Sequence, residues 1–71
     1  MSVEFSRHAR LRMEERRVPP HEVTIVLAEP DEVTYGEDGE LIAAKLLGTR
    51  TVVVVFSDSG DIRRIITVMI A

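Results

Sequence analysis

The chain has 71 residues, 45% hydrophobic and 30% charged, which is the balance of one small globular domain spanning 1–71. It has no cysteine, which excludes disulfides, thiolate chemistry and cysteine-ligated metal. Net charge is −3, against the footprint of a free nucleic-acid binder, yet residues 1–17 hold five arginines against three glutamates while residues 18–71 hold four basic and nine acidic groups.

In chain order, Ser6 can cap a first helix over about 6–17, where good helix formers run without Gly or Pro. Pro19 and Pro20 end it. Pro20 also fits the first turn of a second helix over about 20–29, in which Val23, Val26 and Leu27 form an apolar stripe. Pro30 closes that helix, and the pattern then changes to strands over about 32–35, 40–47, 50–57 and 61–70. Their turns are Gly36-Glu37-Asp38-Gly39, Gly48-Thr49 and Asp58-Ser59-Gly60. The expected fold is α+β: two N-terminal helices on a four-stranded antiparallel meander, in the order α-α-β-β-β-β.

The turns predict a register, with Leu47 opposite Arg50 and Ser57 opposite Asp61. One face then carries Ile42, Ala44, Leu46, Thr51, Val53, Val55, Arg63, Ile65 and Thr67. The other carries Leu41, Ala43, Lys45, Leu47, Arg50, Val52, Val54, Phe56, Arg64, Ile66 and Val68. The first is smoother, so the helices are expected on it. The second is then left open, and an apolar patch of that size marks an interface. The partner expected there is a second copy or a cognate protein, and a lone monomer is not expected.

The candidate chemistry lies on the first helix. His8, Arg12 and Arg16 repeat at four-residue spacing and form one stripe. A neutral imidazole beside guanidinium groups suits acid/base work on a phosphodiester. The alternative is structural, with Arg12 and Arg16 paired to Glu15 and the acidic C-terminal part, at least one of them half buried, and His8 bonded to Thr67 or Thr51. His21, in the first turn after Pro20, reads as a surface residue, and the acidic groups around Pro30 and the Gly36–Gly39 turn read as solvated charge. No metal set and no cofactor motif is visible.

His8-Ala9-x-x-Arg12-Met13-x-Glu15-Arg16, followed by Val18, a Pro-rich junction, Glu22-Val23 and Pro30, resembles a small prokaryotic family catalogued as a domain of unknown function and similar to DUF4258. Ile65-Ile66-Thr67-Val68 resembles its last strand. That family is similar in architecture to RelE-like and BrnT-type toxins, small ribonucleases with helices packed on an antiparallel sheet. The resemblance implies a RelE-like fold with His8, Arg12, Arg16 and Thr67 as its marked positions. One departure is Arg17, where the family pattern has Gly, the residue suited to a left-handed helix end.

Two functions are therefore expected as rivals. The first is a toxin-like, metal-independent endoribonuclease acting on RNA, with His8 as acid/base, Arg12 and Arg16 on phosphate, Thr67 in an orienting role, and Lys45, Arg50 and Arg64 as further phosphate-binding groups. The second is a non-catalytic interaction or homo-oligomerising module. No apolar run reaches the ~18 residues of a membrane span, and no signal-peptide core is visible, so a cytoplasmic protein with no membrane partner is expected. The absence of Asn, Gln and Cys fits a thermophile or a biased genome.

Overall fold

The structure, a computed structural model, describes residues 2–71. Its elements are β1 (Ser2–Phe5), α1 (Arg7–Arg16), α2 (Pro20–Ala28), β2 (Glu32–Tyr35), β3 (Leu41–Leu47), β4 (Arg50–Asp58) and β5 (Ile62–Ile70). The fold is α+β, but the sheet has five strands in the order β1-β5-β4-β3-β2, with β1 parallel to β5 and the other pairs antiparallel. The expected four-stranded meander therefore lacked one strand. Four residues give too short an alternation to announce β1, and no local turn predicts its pairing with the far end of the chain. Among the described residues no helix is long and apolar enough to cross a membrane.

The ends of α1 show how local chemistry positions it. The Ser6 hydroxyl accepts the Ala9 N–H and donates to the Ile66 carbonyl, each at 3.0 Å, so one side chain caps the helix and ties it to β5. At the other end the Val18 N–H reaches the Met13 carbonyl at 2.8 Å and the Arg17 N–H reaches Glu14 at 3.3 Å. This is a Schellman ending, with Met13 and Val18 both buried beneath it. It requires a left-handed residue, and Arg17 occupies that position at φ 54°. An L side chain is strained there, so Arg17→Gly is expected to raise stability by about 1 kcal/mol. A thermal melt should show this as a rise of roughly 4–8 °C.

The helices lie on the face opposite to the one expected. Ala9, Met13, Val18, Val23 and Val26 are buried in one cluster with Ala43, Val52, Val54, Phe56, Ile65 and Val68. Two causes reverse the expectation. The Gly48-Thr49 hairpin has the predicted register, Leu47 opposite Arg50. The next turn instead sets Asp58 opposite Arg63, and a bulge follows in which Val55 pairs with Thr67 but Phe56 pairs with Ile65. Ile65 and Val68 thus share a face, which strict alternation forbids. The second cause is that Lys45 and Arg50, which made this face look polar, are paired at its periphery.

The other face has no layer over it. Ile42, Ala44 and Leu46 of β3, Thr51, Val53 and Val55 of β4, and Thr67 and Met69 of β5 lie on it by pairing. Leu46 is 58% exposed. An open apolar face exists, as the sequence led us to expect, but it is the face that had been assigned to the helices.

Candidate functional site

On α1, His8 is exposed in the first turn. The Arg12 and Arg16 side chains are 40% and 37% exposed, so each is more than half buried. Both turn to Glu15 of their own helix: Arg12 Nη1 donates to Glu15 Oε1 at 2.5 Å, and Arg16 Nη1 lies 3.5 Å from the same oxygen. The hydrogen bond and charge of Arg12, then the charges of Arg16 and His8, hold the Glu15 carboxyl below its ordinary range. One carboxylate thus partly neutralises the stripe that was expected to meet phosphate.

Thr67 does not join that stripe. It pairs with Val55 on the open face, whereas α1 packs on the opposite side of the sheet. Thr51, opposite Leu46, is on the open face as well. The remaining candidates are dispersed. Arg64 is exposed on the open face, 3.6 Å from Glu4 of β1. Its neighbour Arg63 lies on the helix side, its guanidinium 5.7 Å from the Phe56 ring centroid and its Nε 3.4 Å from Asp58.

Lys45 and Asp31 form a strand-end contact. Lys45 Nζ lies 3.4 Å from Asp31 Oδ1, while Asp31 Oδ2 accepts the Leu46 N–H at 2.8 Å. The backbone bond from Leu46, then the Lys45 side chain, hold the Asp31 carboxyl below its ordinary range. A depressed folded-state value means that the contact contributes above the unfolded value and is lost as pH falls through the folded one. The difference in melting temperature between the wild type and Asp31→Asn should therefore be constant at neutral pH. It should shrink once pH drops below the ordinary aspartate value of ~3.9.

Arg50 has a role that no sequence pattern announced. Its Nη1 donates to the Arg16 carbonyl and its Nη2 to the Arg17 carbonyl, both at 2.7 Å, and Nη2 also reaches Glu22 Oε1 at 3.0 Å. The side chain satisfies the free carbonyls at the end of α1 and joins them to the first turn of α2. A guanidinium held by three partners has little capacity left for phosphate. The only hint in the sequence was Glu22 just after Pro20, and that hint names no partner.

The proposed catalytic and phosphate-binding positions therefore divide among an α1 stripe, a clamp, a strand end and the far side of the sheet. Among the described residues no group of three or more His, Asp or Glu side chains is placed to hold a metal ion. The open sheet face carries charge at its sides rather than across it: Arg64 lies toward its β1 side and Glu32 on β2 at the other edge.

Residues 5–70 match the family described as Domain of unknown function (DUF4258), a span from the last residue of β1 to the end of β5. No curated protein and no solved structure matches the chain.

Proposed function

The chain belongs to the DUF4258 family, which carries no known function, and from its own geometry we propose that it is a non-catalytic interaction module that self-associates through the open sheet face. The observation that carries this reading is the absence of any layer over Ile42, Leu46, Val53 and Met69. Leaving such a face wet forfeits roughly 25 cal/mol for each Å² of apolar area that could be buried.

The open face carries charge of both signs at its sides, which a second copy can complement. Glu32 has no cation within 4.0 Å among the described residues, and Arg64 holds only an exposed contact to Glu4. A two-fold axis running along the central strand β4 sets the β5 side of one copy over the β2–β3 side of the other. Arg64 then lies over the β3 side of the partner instead of over its own image. The phosphodiester reading has no comparable support, because His8 and Thr67 lie on opposite sides of the sheet.

Sedimentation at tens of micromolar should give a species of about 16 kDa, twice the chain mass of 8.0 kDa. Val53→Glu should return it to monomer with an unchanged circular dichroism spectrum. Incubation with RNA should give no cleavage. A chain-mass species up to the highest soluble concentration would overturn the reading. So would chelator-resistant RNA cleavage abolished by His8→Ala.

A further inference from the structure

The open sheet face leaves unexplained a second feature on the helix layer. Where α1 turns into α2, a groove of about 510 Å³ is lined by Met13, Val18, Pro19 and Pro20, with Arg10, Glu14 and Arg17 on its walls. Its floor is apolar. Its arginines are unlike most cations of the chain. Arg12, Arg16, Lys45, Arg50, Arg63 and Arg64 each have a carboxylate within 4.0 Å. Among the described residues Arg7, Arg10 and Arg17 have none, and two of those three stand at this groove.

Arg17 adds a second observation. It occupies the left-handed position that ends α1, at φ 54°, where glycine would be unstrained. Its backbone is fully used by the helix ending and by Arg50. Its side chain is used by nothing in the fold and is exposed at the mouth of the groove. A strained backbone bearing an unpartnered guanidinium points to use of that side chain from outside.

We propose that this groove docks a peptide segment of a partner protein that sets a carboxylate beside an apolar side chain. The apolar side chain lies against Pro19 and Pro20, above the buried Met13 and Val18, and the carboxylate takes the fork of Arg17, with Arg10 completing the charge. Glu14 among these groups leaves one net positive charge on the walls, which matches a single carboxylate and leaves a polyanion largely unneutralised. The site is independent of self-association, since the helix layer is on the other side of the sheet from the open face.

The test is a titration of the isotope-labelled full chain, read by amide shifts. The probe is an acetylated eight-residue peptide alternating leucine and glutamate, with leucine–glutamine and leucine–lysine peptides as comparisons. Shifts should be confined to residues 10–20 for the glutamate peptide and at least about tenfold weaker in affinity for the others. Arg17→Gly should weaken binding by about tenfold while raising the melting temperature, a combination that loss of structure cannot produce. Arg17→Lys should retain part of the affinity. No shifts at millimolar glutamate peptide, an equal response to the glutamine peptide, or wild-type binding by Arg17→Gly would each overturn the proposal.

Discussion

Replacing Ile65 by alanine should lower stability by about 3 kcal/mol, whereas the same change at the adjacent Ile66 should cost less than about 1 kcal/mol. Ile65 is 0% exposed beneath the helices and Ile66 is 38% exposed. The contrast comes from the bulge, which keeps Phe56 opposite Ile65 while Val55 has already moved on to Thr67. Removing most of a fully enclosed side chain loses its transfer energy and leaves a cavity, whereas at Ile66 water fills the space. A core in so short a chain rarely supplies more than ~3–5 kcal/mol, so Ile65→Ala should leave a large unfolded population at room temperature. Urea titrations of the two variants, side by side, read the register directly. Equal losses would place both residues in one environment and remove the bulge.

Arg50→Ala should cost about 2–3 kcal/mol, the largest loss expected from any charged side chain here. The change strands two carbonyls at the end of α1 and leaves Glu22, only 24% exposed, without its cation. The partial exposure of Arg50 itself keeps the figure below that of a fully enclosed pair. Arg50→Lys should lose nearly as much, because a single ammonium cannot span two carbonyls and a carboxylate as a planar fork does. Glu22→Gln should cost less than 1 kcal/mol by the same reasoning, since both carbonyl bonds survive it. Urea midpoints at neutral pH separate these cases. A loss under about 0.5 kcal/mol for Arg50→Ala would mean that the clamp contributes nothing.

The parts of the fold visible in the sequence are those written in short range. Ser6, the Pro19-Pro20 pair and Pro30 bound both helices to within a residue or two of the observed ends. Gly48-Thr49 set the β3–β4 register correctly. What failed depends on distant pairing. β1 adds beside β5 across most of the chain, and a single extra residue near Ile66 changes which side of β5 faces inward. The open face was inferred for a sound reason, too few helices for two apolar faces, and then assigned by counting charges. Lys45 and Arg50 misled that count because each finds its carboxylate at the margin of the core.

The α1 stripe divides in the same way. That His8, Arg12 and Arg16 follow one another along the helix was readable from their spacing. Glu15, which takes both guanidinium groups, was the partner that the structural alternative named for them. Thr67 was tied to His8 by the resemblance and by the expectation that the helices cover its face, and the helices cover the other one.

Isotope-filtered nuclear Overhauser spectroscopy on an equal mixture of carbon-13-labelled and unlabelled chain tests the self-association most directly. A sheet-face dimer predicts cross-copy contacts from the methyls of Leu46, Val53 and Met69. Cross-copy contacts confined to the helix layer, at Leu11 or Ile25, or none at a concentration where sedimentation shows only the single chain, would contradict it.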